Sequence, residues 1–313
     1  MLPDFDEFLL YLQTNNYSPE TVYNYDRDLR VFDQHLTETG TAFNQVDKMA
    51  VSRYKAYLTS RDRKTAIRLT EQEKMLVSRS INRMLSSIRS YLKWLIEMDK
   101  PSPIAPEAVK LIKQERKHPQ VAELNDLVRL VEAPSSLEKD KLVALRNRAI
   151  LELLFSTGMR ISELCSLNRN QIDDSGKVFV MGKGKKQRFV YLTERAMEHL
   201  NRYLVTRKDS FPALFIPYSG RNVSNAKKRI STNYLQERIK GYREKLRINV
   251  PTSAHSLRHG FATYLAEEGA SPAAIQILLG HESLDTTTRY VHASDRFAEE
   301  THRKFHPLAK PDD

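Results

Sequence analysis

Six basic, imidazole and phenol side chains in the second half of the chain are of types that together can perform phosphoryl transfer. They are Arg160, Lys183, His255, Arg258, His281 and Tyr290. Guanidinium groups neutralise the charge that builds on the non-bridging oxygens of a phosphodiester in its transition state, and they favour phenolate over phenol. If the six groups converge on one phosphate, Tyr290 is the only plausible nucleophile, and a Lys or His protonates the leaving oxygen. Such a set needs no metal ion.

The local sequence around each basic candidate suits this task. Arg160 follows a Gly at a predicted helix end; alone, it would be a surface arginine paired with Glu163. Lys183 lies between two glycines in a turn from which its amine can reach a ligand; alone, it would be an ordinary turn lysine. His255 and Arg258 are three residues apart at a predicted helix start, where both can face an anion. Only their combination makes the prediction specific.

A zinc site is the alternative for the paired histidines. His255 and His259 are four residues apart, which is the spacing of a metal-binding helix. However, no Glu follows His255 in the His-Glu-x-x-His order, and no Cys or carboxylate cluster is nearby to complete a site. We therefore expect no metal ligands and predict that His259 is a core or supporting histidine.

The charge of the chain indicates a polyanionic partner. Lys and Arg outnumber Asp and Glu by 50 to 39, which gives a net charge of +11 and a pI near 9.5. The excess is concentrated in residues 51–100, with 12 basic and 5 acidic residues, and in residues 201–250, with 12 and 3. Two basic stretches in separate domains can face one phosphate backbone, although each could also be a solvated helix face. The predicted DNA contacts are Arg79, Arg83, Arg89, Lys185, Lys186, Lys227, Lys228 and Arg229.

The elements that must position these side chains follow from the periodicity of apolar residues. Helical spacing in the first third occurs in residues 5–12, 18–36, 47–58 and 73–98. Ser18 before Pro19, and Asp47 before the third segment, are typical helix starts. The pattern predicts an N-terminal helical bundle over residues 1–100.

A proline-rich stretch separates this bundle from a second domain. Residues 101–120 contain four prolines with interleaved basic residues and predict a linker. In the second domain, 121–313, short strands are predicted around a Gly-Lys-Gly-Lys-Lys-Gln turn, at 178–181 and 189–192. Helices are predicted at 124–131, 142–156, 193–203, 230–246, 256–267 and 272–279. The expected fold is mainly α with a small β-hairpin.

Composition argues against a disulfide-stabilised scaffold and against a membrane-spanning protein. The single Cys165 cannot form an internal disulfide, and the mean hydropathy of −0.54 comes with no apolar run of about 18 residues. The first eleven residues carry three acidic and no basic side chains, unlike a signal peptide. We expect a cytoplasmic protein with no membrane partner.

Taken in order, Arg, Lys, His-x-x-Arg, His and Tyr in these contexts resemble the tyrosine recombinase (phage integrase) family, in particular its Xer-type branch. The similarity covers essentially the whole second domain, and Leu-Gly-His followed nine residues later by Tyr290 is its most specific part. The resemblance implies phosphate clamps at Arg160 and Arg258, a general acid at Lys183 and a nucleophile at Tyr290. It also implies that His255 and His281 complete the phosphate pocket and that Glu163 supports it.

The same resemblance implies the reaction and its partners. Family members cleave DNA through a 3'-phosphotyrosyl intermediate, without ATP or metal, and exchange strands through a Holliday junction in a tetramer. It implies a SAM-like, core-binding N-terminal bundle that forms a C-shaped clamp on DNA with the catalytic domain. A homotetramer or a heterotetramer with a related recombinase, chromosome dimer resolution and activation by a septal DNA translocase are further expectations. The segment 296–306 fits a tail helix that docks on a neighbouring subunit, or one that packs on its own domain.

Other functions stay open at this point. Within the family, a mobile-element integrase or transposase has the same catalytic residues, and the basic segment 61–74 is longer than a minimal Xer protein needs. A type IB topoisomerase shares the chemistry but rejoins the same strand. A DNA-bending accessory protein without cleavage and a hydrolase with histidine-bound metal are less consistent with the intact set. Identification of the DNA target would separate chromosome dimer resolution from mobile-element recombination.

Overall fold

The computed structural model describes residues 2–60, 75–113, 122–182, 187–220, 223–224 and 228–280. The chain divides into two compact units, Met1–Lys117 and His118–Asp313. The mainly α fold with a small hairpin is confirmed: within the described ranges, eleven α-helices accompany one antiparallel pair of strands. No helix in these ranges is long and apolar enough to cross a membrane.

In the described residues of the first unit, 2–60 and 75–113, there are four α-helices, as the sequence predicts. They are α1 (Phe5–Thr14), α2 (Pro19–Glu38), α3 (Lys48–Thr59) and α4 (Ser78–Glu97). Ser18 accepts a hydrogen bond from the Thr21 N–H, and Asp47 accepts one from the Ala50 N–H at 2.7 Å, so both predicted caps form. The apolar faces meet in a core of aromatic and aliphatic side chains that includes Phe8, Tyr54, Leu85, Tyr91 and Leu95.

The described part of the predicted linker packs on this first unit. Val109 is fully buried in its core, and Ile104 and Ile112 lie against that core. The backbone of Ile112 exchanges two hydrogen bonds with the Asn82 side chain, at 2.7 and 2.9 Å. Residues 101–113 are therefore an ordered part of the first unit, because apolar residues between the prolines are anchored to α4.

The second unit surrounds a buried central helix. Its elements are α5 (Leu124–Leu137), α6 (Lys141–Thr157), α7 (Ile161–Ser166), β1 (Lys177–Met181), β2 (Gln187–Tyr191), α8 (Glu194–Leu204), α9 (Thr232–Lys245), α10 (Ala254–Glu267) and α11 (Pro272–Leu279). Every residue of α6 from Ala149 to Leu154 is buried, since α5, α8 and α10 pack around it. In the hairpin, Val178 pairs with Val190 and Val180 with Arg188.

Candidate active site

The turn between α6 and α7 positions Arg160. Gly158 ends α6 in the left-handed conformation with φ of 60°, and a Cβ there would lie 2.4 Å from Phe261 Cδ1. Only glycine fits this position, because of both its backbone angle and the packed ring. Met159 is fully buried and anchors the turn, while Arg160 stands at the start of α7 with its side chain 34% exposed. The guanidinium is therefore fixed at its base and partly open to solvent.

Glu163 holds Arg160 and a second arginine at the same time. Its carboxylate accepts hydrogen bonds from the backbone N–H and the Nη1 of Arg160, both at 2.8 Å. The Arg188 guanidinium donates to both oxygens, at 3.0 and 2.7 Å. Burial raises the pKa of Glu163, but hydrogen bonds from Arg188 and Arg160 outweigh it and bring the pKa below its ordinary value. Glu163 is thus a carboxylate at neutral pH.

The Arg258 side chain connects two backbone segments, one just before Arg160 and one just before His281. Its Nη1 donates to the Gly158 carbonyl and its Nη2 to the Leu279 carbonyl, both at 2.7 Å. Gly158 precedes Arg160 by two residues, and Leu279 precedes His281 by two. Arg258 as a whole residue is only 2% exposed. Besides its predicted contact with phosphate, it therefore holds the ends of α6 and α11, a role that the sequence analysis missed.

The two histidines of α10 are in contact. Ser253 caps the helix, which begins at Ala254, two residues before its predicted start. His255 is exposed and His259 half-buried, and their ring centroids are 4.3 Å apart in an edge-to-face arrangement. Across the described ranges, no three His, Cys, Asp or Glu side chains are grouped so that they could hold a metal ion.

His259 makes stability depend on pH. Burial, together with the neighbouring His255 and Arg258, lowers its pKa to about 4, whereas an unfolded chain has a His pKa of about 6.5. As pH falls from 6.5 to 4, the unfolded chain binds a proton that the folded protein does not, so folding is disfavoured by about 2 to 3 kcal/mol. We expect urea unfolding at pH 7 and pH 4.5 to show a smaller loss of stability in His259→Gln than in the wild type. An equal loss in both proteins would contradict this assignment.

The predicted DNA contacts on α4 differ in their surroundings. Arg79 is exposed and Arg89 half-buried. Arg83 forms an ion pair with Asp28, whose side chain is buried. Burial raises the pKa of Asp28, and Arg83 opposes that shift. Arg83 thus has a structural partner within the first unit, and the DNA contacts of all three remain predictions.

Two predicted contacts of the second unit are engaged with protein groups. The Lys228 ammonium lies 4.7 Å from the centre of the Phe211 ring. The Arg229 Nη1 donates to the carbonyls of Ser166 and Leu167, both at 2.8 Å, so Arg229 caps the end of α7. In this structure Arg229 stabilises the fold, and its contact with DNA remains a prediction.

The other sequence-predicted residues lie outside the described ranges. They are Lys183, Lys185, Lys186, Lys227, His281 and Tyr290, with the segments 61–74 and 296–306. The structure therefore brings together Arg160, Glu163 and Arg188, joins Arg258 to the turn before Arg160, and pairs His255 with His259.

Arg188 is the residue that the sequence analysis overlooked. It lies on β2 two residues before the fully buried Val190, so the alternation of strand side chains places both on one face. A charged residue on the buried face of a short strand signals an internal ion pair. The carboxylate partner of Arg188 could have been sought among the predicted site residues, which include Glu163.

Comparisons with known proteins cover both units. Residues 120–296 match the phage integrase family, and residues 5–98 match the phage integrase N-terminal SAM-like domain. Tyrosine recombinase XerC of Xanthomonas axonopodis pv. citri is 35% identical over 307 residues, 97% of this chain and 97% of that protein. Tyrosine recombinase XerD of Staphylococcus epidermidis is 29% identical over 313 residues, 97% of this chain and 98% of that protein.

A solved structure shows the same fold. A XerH site-specific recombinase bound to a palindromic difH substrate, in a post-cleavage complex, has a TM-score of 0.70 and 20% identity over 90% of this chain and 79% of that one. The sequence matches run through the segments that contain Arg160, Arg258 and Tyr290, and the structural match runs through both units. The chain therefore belongs to the phage integrase family, as a site-specific tyrosine recombinase of the Xer type.

Proposed function

We propose that this recombinase cleaves DNA with Tyr290 as nucleophile. Tyr290 gives its phenolic proton to water, its oxygen attacks the scissile phosphorus to form a 3'-phosphotyrosyl bond, and the bond to the 5'-oxygen breaks. Lys183 donates the proton that the leaving oxygen needs, so a 5'-hydroxyl is released. Arg160 and Arg258, with His255 and His281, bind the non-bridging oxygens and stabilise their transition-state charge. Attack of the free 5'-hydroxyl from a partner duplex reverses the step and rejoins the strands through a Holliday junction.

The double hydrogen bond of Arg258 carries this proposal. It ties the carbonyl two residues before Arg160 to the carbonyl two residues before His281, each at 2.7 Å. Residues that are distant in sequence are thereby fixed near one another, as positioning of reacting groups requires. The Arg160 side chain remains one-third exposed beside these bonds of Arg258, where it can donate hydrogen bonds to a phosphate.

We propose that neither metal nor ATP takes part. Two arginines, a lysine and two histidines supply the positive charge that a divalent ion would otherwise contribute. The phosphotyrosyl bond conserves the energy of the phosphodiester, so rejoining needs no nucleotide.

The partners and the pathway belong to the same proposal. We propose a double-stranded recombination site, bound by a homotetramer or by a heterotetramer with a related recombinase, in cytoplasmic chromosome dimer resolution. The XerC and XerD names of its relatives support an Xer role, and a septal DNA translocase is the activator we propose. The proposed tetramer is supported by a lambda integrase tetramer bound to a Holliday junction, whose chain matches this one with a TM-score of 0.67 at 16% identity.

A nicked suicide substrate in EDTA tests the reaction. The duplex contains a binding site selected from genomic fragments by gel shift, and the nick lets the cleaved end diffuse away. We expect an EDTA-resistant covalent adduct on a denaturing gel, with the DNA attached to the tryptic peptide that contains Tyr290. Specific binding without any adduct, also in a parallel reaction that contains Mg²⁺, ATP and the proposed translocase, would overturn the proposal in favour of an accessory DNA-binding protein. Attachment to another residue would overturn the role of Tyr290.

A further inference from the structure

Arg188 is fixed at three points by groups outside its own strand. Its two terminal nitrogens donate to the Glu163 carboxylate, at 2.7 and 3.0 Å, and its Nε donates to the Leu278 carbonyl at 2.8 Å. The side chain is 8% exposed, and that of Glu163 is 5% exposed. A guanidinium held in this way cannot turn away from Glu163 without breaking buried hydrogen bonds.

Gly280 leaves the space that Arg188 occupies. It ends α11 in the left-handed conformation, with φ of 64°. A Cβ at this position would lie 3.0 Å from Arg188 Cδ and 3.2 Å from its Nη1. A side chain here would strain the backbone and would push Arg188 by a few tenths of an ångström, so glycine suits this position for both reasons.

Arg188 also changes the charge that Arg160 presents. Glu163 accepts from Arg160 and would cancel its charge if the two formed an isolated pair. With Arg188 on the same carboxylate, the three groups carry a net charge of +1. Arg160 is the exposed member of the three, at 34%, so the uncancelled charge is available where a phosphate can approach.

We propose that Arg188 is a positioning residue for DNA cleavage, which holds Glu163 so that Arg160 faces the scissile phosphate with its charge uncancelled. Arg188 acts through Glu163 and Arg160 and does not itself touch the DNA. The proposal rests on the proposed function, because it takes Arg160 as a phosphate ligand.

A substrate without charge on the scissile phosphate tests this role. In a methylphosphonate, a methyl group replaces one non-bridging oxygen, so the scissile group is uncharged in the ground state and carries less negative charge in the transition state. We expect Arg188→Ala to slow adduct formation at least 10-fold on the phosphodiester. On the methylphosphonate, the factor by which it slows the reaction should be at least 5-fold smaller. Arg188→Lys, which keeps the charge but loses the two-pronged contact, should lie between Arg188→Ala and the wild type.

Arg207→Ala is the matched control. Arg207 is a fully buried arginine that contacts both oxygens of Asp209, at 2.6 Å each, and donates to the Leu214 carbonyl. We expect it to lower the melting temperature without changing the ratio of the rates on the two substrates. An equal slowing of Arg188→Ala on both substrates, as in a merely destabilised protein, would overturn the proposal. If Arg188→Ala does not fold, the ratio for Arg188→Lys decides in the same way.

Arg160→Ala separates this proposal from the proposed function. If it loses rate selectively on the phosphodiester while the Arg188 variants do not, only the role of Arg188 fails. If Arg160→Ala slows both substrates equally, Arg160 is not a phosphate ligand, and both proposals are overturned.

Discussion

Replacement of Tyr290 by Phe is expected to abolish the covalent adduct with DNA. The substitution removes one oxygen and keeps the ring, so the variant loses the proposed nucleophile while the basic groups proposed to bind the phosphate remain. A loss of at least about 10,000-fold in the rate of adduct formation is expected, which corresponds to more than about 5 kcal/mol of activation free energy. Suicide-substrate cleavage in EDTA measures this loss, and a gel shift on the same duplex should show unchanged binding.

Tyr191→Phe is the matched control for this loss. Tyr191 is the last residue of β2 and is 54% exposed, so removal of its hydroxyl should leave both cleavage and stability unchanged. An EDTA-resistant adduct that persists in Tyr290→Phe would show that another side chain attacks the phosphate. Loss of DNA binding in Tyr290→Phe would contradict the assumption that the hydroxyl acts only in the chemical step.

The starts of α2 and α3 were predictable from their capping side chains, whereas the start of α10 was missed by two residues although Ser253 caps it. Ser18 and Asp47 form the expected hydrogen bonds, and the helices after them begin within one residue of prediction. The start of α4 was less well predicted: its periodicity extends back to residue 73, whereas the helix begins at Ser78. Leu76 packs on the core from a non-helical segment. An apolar period alone cannot distinguish such a segment from a helical turn.

The parts of the site that the sequence did not predict are long-range contacts of arginine. Arg258 was predicted to be a phosphate ligand, but its bonds to Gly158 and Leu279 join positions 100 and 21 residues away. The partnership of Arg188 with Glu163 likewise spans 25 residues. Residue type and local spacing indicate which groups can bind an anion, whereas only the packing of α6, α10 and α11 determines which guanidiniums are used internally.

Arg258→Lys is expected to combine a large loss of rate with a loss of stability. A lysine ammonium cannot reproduce the planar fork that reaches two carbonyls, so at least one of the carbonyls of Gly158 and Leu279 loses its buried donor. Such losses cost about 1 to 3 kcal/mol each, and we expect the free energy of unfolding to fall by about 2 to 4 kcal/mol. Loss of the transition-state donor that we propose in Arg258 should also slow cleavage about 100- to 1,000-fold.

Urea unfolding and adduct formation on the same preparation separate these two effects. Arg207→Lys should lose comparable stability, since Arg207 also donates to two buried carbonyls, those of Ala213 and Leu214, but its rate should fall only as far as its folded fraction falls. If both variants lose rate only in proportion to unfolding, Arg258 is structural and the phosphate clamp is wrong.

A double-mutant cycle with Arg188→Lys extends the test, because Arg188 and Arg258 hold the adjacent carbonyls of Leu278 and Leu279. Since both arginines fix the same helix end, we expect their effects on cleavage to be non-additive.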